Sequence, residues 1–275
     1  MSDKVMSRRK FLAGAGAVVG VATVAGVGLA GRPSDAEALG TAIPWPYPTD
    51  PSLQPVAETL ARRAYEVYYA SGCAEATWWP VIEFLAADNP TTWGTLPKNV
   101  MRYGGGGCGG WGTLCGTLNG SSAIISMCVA DGAARGKMID EAMQYYGETP
   151  LPTNGIDKAV RAGWAPAAGV VAPLVNVPTS TAHSQLCHAS LSQWTMTTGE
   201  RDGSVAQKDR CGKACHDLVL KVTGMLNAYF LNNTNVPAGT LDETIGTCGP
   251  CHQPAKGKMA CDSCHDESPD HSFGD

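Results

Sequence analysis

The sequence predicts an all-α protein, with a compact helical domain followed by a C-terminal tail of little regular structure. Apolar residues recur at three- and four-residue spacings over much of the chain, and no strand-like alternation of any length is present. Hydrophobic residues make up 44% of the 275 residues, which is enough for a core. The last 40 residues, in contrast, have few apolar positions and cannot build a core alone.

The N-terminus, residues 1–38, has the form of an export signal. A Ser-Arg-Arg-Lys-Phe-Leu motif at residues 7–12 precedes an apolar stretch at 13–30, and Ala-Glu-Ala at 36–38 offers a cleavage site. The paired arginines resemble the twin-arginine signal, whose pathway exports folded proteins. We therefore expect a periplasmic protein with no membrane span after cleavage. Retention as a single-span anchor is the alternative.

A Pro-rich lead at residues 39–55 is expected to lie extended over the surface, ahead of a helical domain at 56–235. Apolar spacing predicts helices over residues 56–70, 113–130, 135–146, 181–198 and 209–231. A second apolar segment, at 73–87, has a kink or a helix start at Pro80. A Gly-rich loop at 104–110 precedes the helix at 113–130, and a long connection at 149–180 follows the helix at 135–146.

Several functional classes find no support in the chain. The net charge is −5 and no basic run lies beyond the N-terminus, so we expect no nucleic-acid partner. The Gly-rich loop lacks the Gly-Lys-Ser/Thr ending of a phosphate loop, and we expect it to bring backbone close to a cofactor or a helix. Trp78, Trp79 and Trp111 are expected in the core. No catalytic Ser/His/Asp arrangement stands out.

The tail, residues 236–275, holds Cys-x-x-Cys-His motifs at 248–252 and 261–265. In each motif the two thiols are spaced to form thioethers with the vinyl groups of haem, and the adjacent histidine lies under the iron. A zinc site built from the same residues is the alternative, which an exported location argues against. The predicted haem-attachment residues are Cys248, Cys251, Cys261 and Cys264, and the predicted proximal iron ligands are His252 and His265.

Each haem iron needs a sixth ligand. The histidine candidates, in order of preference, are His188, His216 and His183, and methionine is also possible. Histidine on both sides lowers the reduction potential and leaves no open position for a substrate, which favours electron transfer over catalysis. Cys211, Cys215 and His216 form a candidate third haem site, with three residues between the cysteines rather than two.

The body of the chain holds further cysteines, several of them near the predicted start of an apolar helix or beside the Gly-rich loop. Backbone N–H groups at such places can stabilise an anionic cluster, and four thiolates bind an iron–sulfur cluster. Buried free thiols and disulfides are the alternatives. The seven residues are Cys73, Cys108, Cys115, Cys128, Cys187, Cys211 and Cys215.

The order of these motifs resembles a family of redox-active proteins named for its C…GCAxxG…C…C pattern. The resemblance rests on Ser-Gly-Cys-Ala at 71–74, three glycines ahead of Cys-Gly-Thr-Leu-Asn-Gly at 115–120, then Cys187 and Cys211. With the tail motifs added, residues 55–265 resemble the split-Soret cytochromes c. The departures from the pattern are Thr117 in place of alanine and the extra Cys108, Cys128, Cys215 and His216.

The resemblance implies a helical domain that carries an iron–sulfur centre on Cys73, Cys115, Cys187 and Cys211. It also implies two closely stacked haems with histidine on both sides, and a homodimer in which a ligand histidine can come from the partner subunit. Cys211 cannot serve both a cluster and a third haem, and we choose the cluster. The predicted function is electron exchange with other periplasmic redox proteins. A haem or iron–sulfur reductase acting on a small molecule is the alternative.

Overall fold

The structure, a computed structural model, describes Trp45, residues 55–232, Gly239, Lys258 and Met259. The predicted export signal, most of the Pro-rich lead and both tail motifs lie outside the described residues. Within the described part, the chain forms α-helices and one 3-10 helix but no strand, so the all-α prediction is confirmed.

The long final helix is the centre of the packing. This helix, Val205–Asn232, contacts the helices Pro55–Ser71, Cys73–Asp88, Gly116–Cys128 and Gly132–Glu148, and the second of these four also packs against the first and the third. None of the helices in the described residues is long and apolar enough to cross a membrane. The elements are α1 Pro55–Ser71, α2 Cys73–Asp88, a 3-10 helix Lys98–Gly104, α3 Gly116–Cys128, α4 Gly132–Glu148, α5 Asp157–Arg161, α6 Cys187–Thr198 and α7 Val205–Asn232.

The main hydrophobic core lies between the five longest helices. Trp78 of α2, Ile124 of α3 and Leu226 of α7 are almost completely buried in it. Trp45 of the Pro-rich lead is buried there too, and its indole Nε1 donates to Asn227 Oδ1 at 3.0 Å. At Trp45 the lead is therefore anchored in the core, where the sequence predicted a segment lying over the surface.

Two glycines allow α3 to approach α2 closely. A Cβ at Gly116 would lie 2.6 Å from the Gly104 carbonyl oxygen and 2.8 Å from the backbone nitrogen of Ala74. One turn later, a Cβ at Gly120 would overlap the Ala74 carbonyl and the Thr77 hydroxyl. The two glycines lie four residues apart on one face of α3, so backbone meets backbone along that face. The contact brings the N-terminal ends of α2 and α3 together.

Several helix boundaries differ from the prediction. Residues 181–186 are not helical, because Leu186 pairs with Leu114 in an isolated antiparallel bridge. Helix α7 begins at Val205 rather than at 209, since the Ser204 hydroxyl accepts the N–H of Gln207 and caps the first turn. Helix α2 continues through Pro80 without ending there. The short helix α5 lies within the predicted long connection.

The three tryptophans expected in the core have different environments. Trp78 is buried and Trp79 is partly buried against the core. Trp111 is 85% exposed, so the prediction for this residue is wrong. It stands between Gly110 and Gly112, both of which have positive φ, in the loop that leads to α3. The loop conformation directs its side chain into solvent.

Buried charges tie the connection between α4 and α6 to α7. Lys213 of α7 is fully buried, and its Nζ lies 2.5 Å from Asp157 Oδ1 and 2.8 Å from Asn154 Oδ1. Asp217, one turn further along α7, accepts hydrogen bonds from both the backbone N–H and the hydroxyl of Thr153. These contacts satisfy polar groups that would otherwise be costly to bury.

Candidate metal centre

The four cysteines predicted to bind a cluster line a single cavity of about 370 Å³. Cys73 is the first residue of α2, Cys115 is the N-cap of α3 and Cys187 is the first residue of α6. Cys211 lies in the second turn of α7. The structure thus brings together four thiols from four different helices, and their role as cluster ligands stays a prediction.

A short antiparallel contact sets Cys115 and Cys187 side by side. The N–H of Cys115 donates to the Gln185 carbonyl at 3.0 Å, and the N–H of Cys187 donates to the Thr113 carbonyl at 2.7 Å. These two bonds flank the Leu114 bridge, so the segment before α3 and the segment before α6 run antiparallel at this point. Helices α3 and α6 therefore begin next to each other, at Cys115 and Cys187.

The Gly-rich loop packs against the start of α6. A Cβ at Gly107 would lie 2.8 Å from the Cβ of Cys187, and a Cβ at Gly112 would lie 2.7 Å from the Cβ of His188. Both glycines also have positive φ, which other residues rarely adopt. The loop therefore fits close to a helix, as the sequence predicts. Gly106 and Gly110 of the loop line the cavity, as does Gly112, two residues after the loop.

The environment of Cys115 favours a thiolate. A hydrogen bond from Cys187, helped by the hydroxyl of Thr117 at 3.1 Å and by Tyr146, outweighs burial and lowers the pKa of Cys115 to about 6. The same hydrogen bond, together with burial, raises the pKa of Cys187. The backbone N–H of Thr117, in the first turn of α3, also favours the Cys115 thiolate, as expected at a helix N-terminus.

The thiol of Cys211 has a different environment. Burial raises its pKa to about 11, although the neighbouring Arg210 charge acts in the opposite direction. The amide Nε2 of Gln207 donates to Cys211 Sγ at 3.1 Å. Thiols of raised pKa lose their protons when a metal binds them. The surroundings of Cys115 therefore favour its thiolate without a metal. Cys187 and Cys211, whose pKa values are raised, would need a bound cation to lose their protons.

Arg210, Tyr68 and Tyr146 also line the cavity, and none of these three residues was predicted from the sequence. Arg210 is 3% exposed, and its Nη2 donates to the Ser190 hydroxyl at 2.6 Å. The Tyr146 hydroxyl donates to the same oxygen at 2.9 Å. Burial raises the pKa of Tyr68, which stays a neutral phenol beside Cys211. The only sequence signal for Arg210 is its position directly before Cys211.

The three candidate histidines differ in burial and in their hydrogen-bond partners. His188 is exposed and lies at the cavity, and His183 is exposed on the segment before α6. His216 is buried in α7, with its ring nitrogens 3.2 Å from Asp217 Oδ1 and 3.4 Å from Glu58 Oε1. Carboxylates therefore occupy both ring nitrogens of His216. Its role as a haem ligand, like that of the other two, stays a prediction.

The extra cysteines do not line the cavity. Cys108 is exposed on the Gly-rich loop, and Cys128 is buried in the main core at the end of α3. The Cys215 thiol is buried behind the cavity and donates to the Cys73 carbonyl at 3.8 Å. Cys215 and His216 thus lie inside a continuous, packed helix.

The donor set of the cavity consists of four thiols around one space. In the described part of the chain, no group of three or more His, Cys, Asp or Glu side chains is arranged to hold a metal ion. Four cysteine thiolates around such a space are the ligand set of an iron–sulfur cluster.

Comparison with known proteins identifies the family. Residues 71–229 match the family described as "Putative redox-active protein (C_GCAxxG_C_C)". Split-Soret cytochrome c of Desulfovibrio desulfuricans is 26% identical over 238 residues, which cover 82% of this chain and 79% of that protein. A solved structure of a novel iron centre in that cytochrome superposes with a TM-score of 0.66 and 26% identity, covering 77% of this chain and 88% of the other. Because the matched residues span more than half of the sequence and include all four cavity cysteines, this chain belongs to the C_GCAxxG_C_C family of redox-active proteins.

Proposed function

We propose that this protein is a periplasmic electron-transfer protein of the split-Soret cytochrome type, with two haems c on its tail and an iron–sulfur cluster in its helical body. The observation that carries the proposal is the single cavity lined by Cys73, Cys115, Cys187 and Cys211. The similarity to a cytochrome that holds an iron centre supports it. When bound, the cluster would supply one-electron chemistry at this cavity.

The residues around the cavity have separate tasks in this proposal. The four cysteines would hold the iron. None of the helices that begin at the cavity has a side-chain N-cap, so the positive ends of α2, α3 and α6 are available to stabilise negative charge there. Tyr146 and the half-buried Leu191 form part of the wall and limit the entry of water. A dry surrounding strengthens each of these electrostatic interactions.

The tail would carry the haems. Cys248, Cys251, Cys261 and Cys264 would form the thioethers, with His252 and His265 as proximal ligands. His188 is our first candidate for a distal ligand because it is exposed beside the cavity. His183 is also exposed, whereas the two carboxylate partners of His216 weigh against it.

The proposal extends to the assembly and the route of export. The twin-arginine motif at residues 7–12 would direct the folded protein to the periplasm, and residues 1–38 would then be removed. Residues 56–235 would form the cluster-binding body and residues 236–275 the haem-binding tail. We propose a homodimer in which a histidine of one subunit can ligate a haem of the other, with periplasmic redox proteins as donor and acceptor.

Cofactor counting on the full chain tests this proposal. The protein is expressed in a host competent in cytochrome maturation and cluster assembly, purified without oxygen, and assayed for iron, acid-labile sulfide and pyridine-haemochrome absorbance. We expect two haems c per chain, and iron in excess of haem accompanied by sulfide. A colourless protein with bare tail cysteines would refute the cytochrome assignment. Iron equal to haem, with no sulfide, would refute the cluster.

A further inference from the structure

Among the residues that the structure describes, Arg210 is a buried cation without a carboxylate partner. The other fully buried cation described above, Lys213, lies within ion-pair distance of both Asp157 and Asp209. Arg210 is 3% exposed, yet it forms no ion pair with any carboxylate among the residues that the structure describes. An unpaired charge is costly to bury, so Arg210 needs a compensating negative charge.

The contacts of Arg210 hold it at the cavity wall. Its Nη2 donates to the hydroxyl of Ser190 at 2.6 Å and to the Ser190 carbonyl at 3.4 Å, and its Nη1 lies 3.8 Å from Cys211 Sγ. The Nε–H is buried and has no acceptor. One end of the guanidinium is thus fixed by Ser190, Nη1 lies beside Cys211, and the Nε donor has no acceptor among the described residues. Buried donors without acceptors are rare in folded proteins.

We propose that Arg210 is the counter-charge of the cavity, a positioning residue that stabilises the reduced form of the thiolate-bound iron centre and so sets its reduction potential. This inference rests on the proposed function, because it requires an anionic occupant held by the four cysteines. Reduction adds one electron and no other group, so the reduced centre is more negative by one charge. A fixed cation beside it favours that form, and because Arg210 is itself buried, water screens its charge little.

The choice of arginine over lysine fits this role. Its planar guanidinium can bond Ser190 through one nitrogen while it presents its other N–H groups to sulfur. A lysine ammonium at the same place is a single point with freely rotating donors. The Ser190 hydroxyl also accepts a hydrogen bond from the Tyr146 hydroxyl, so Ser190 orients both Arg210 and Tyr146 at the cavity.

A pair of arginine variants tests the inference. Arg210→Met removes the buried charge, and Arg201→Met removes an exposed charge beside Asp202, which itself lines the cavity. The readout is a potentiometric titration of the full chain, with the reduced cluster followed by electron paramagnetic resonance. At a fixed potential we expect the ratio of reduced to oxidised centre to fall about tenfold or more in Arg210→Met and to stay unchanged in Arg201→Met.

Circular dichroism would reveal whether Arg210→Met is folded. Two further variants make milder changes at the same place. Arg210→Lys keeps the charge, and Ser190→Ala keeps the arginine but removes its anchor, so each should lower the potential by less than Arg210→Met. A folded Arg210→Met that loses non-haem iron while Arg201→Met retains it would also support the inference. A wild-type potential in Arg210→Met, or in Arg210→Gln (which also removes the charge) if Arg210→Met does not fold, would overturn it and leave the proposed function intact. A wild-type protein without acid-labile sulfide would overturn both.

Discussion

Gly120 of α3 packs directly onto the Ala74 carbonyl of α2, with no room between them for a Cβ. Gly116, one turn earlier, meets the backbone of the same residue. The two helices begin with cavity cysteines, Cys115 at the N-cap of α3 and Cys73 at the first position of α2. The glycines therefore fix the separation between two of the four thiols, which gives this part of the family pattern a physical reason.

Replacing Gly120 should damage both the packing and the cavity. Gly120→Ala would force α3 away from α2, and such overpacking costs about 1–3 kcal/mol in the free energy of unfolding. Gly136→Ala in α4 is the matched control, because nothing lies near its Cβ position, and the better helix propensity of alanine should stabilise it by up to about 1 kcal/mol. Chemical denaturation measures both. Equal stability of the two variants would contradict the close approach.

The buried Lys213 should be essential for stability. Lys213→Met would leave Asp157 buried with an uncompensated charge, and breaking a buried pair in this way costs about 3–5 kcal/mol. Lys221→Met removes the partly exposed pair between Lys221 and Glu141 and should cost about 1 kcal/mol or less. Denaturant titration of the two variants at neutral pH makes the comparison. A similar loss in both would show that burial of the pair does not matter.

His216 should make stability depend on pH. Burial opposes the charged ring, but hydrogen bonds with Asp217 and Glu58 outweigh it and raise the pKa of His216 above its ordinary 6.5. The stabilisation is therefore complete below the ordinary pKa and is lost as the pH rises through the raised one. We expect the unfolding free energy of the wild type to fall as the pH rises above 6.5 and through the raised pKa of His216, and to change less in His216→Gln. Parallel pH curves for the two proteins would argue against a charged His216.

His188 should be required for six-coordinate haem. Its exposed ring at the cavity leaves it free to ligate an iron of the tail or of a partner subunit. His188→Ala should open one iron position, so that carbon monoxide binds to the reduced protein and changes the Soret band. His183→Ala serves as the comparison. If carbon monoxide binds only after the His183 change, the ligand role belongs to that residue instead.

The sequence alone could predict the helices and the four cysteines, but not all of their surroundings. The apolar pattern located α1, α3 and α4 to within three residues at each end, because their apolar faces pack on one core. The set of four cysteines followed from the resemblance to the C…GCAxxG…C…C family, which rests on the order of the cysteines and on their glycine neighbours. Their meeting at one cavity depends on contacts between elements far apart in the chain, such as the Leu114 bridge to Leu186, which no local pattern carries.

The environments of Trp111 and Arg210 could not be predicted from the local sequence. Trp111 is apolar and stands beside an apolar helix, yet the positive φ angles of its glycine neighbours turn it into solvent. Arginine is usually found at the protein surface, but Arg210 is buried because its guanidinium bonds Ser190 on a different helix. Both cases depend on tertiary structure that overrides residue preference.

Non-haem iron and acid-labile sulfide in a series of cysteine variants test the central claim most directly. Separate serine replacements of Cys73, Cys115, Cys187 and Cys211 remove one cavity thiol each, and Cys128→Ser removes a buried thiol of the main core as the control. We predict that each cavity variant loses sulfide and the iron in excess of haem, and that Cys128→Ser retains both at the wild-type amounts. Full retention of non-haem iron and sulfide in the four cavity variants would contradict the account.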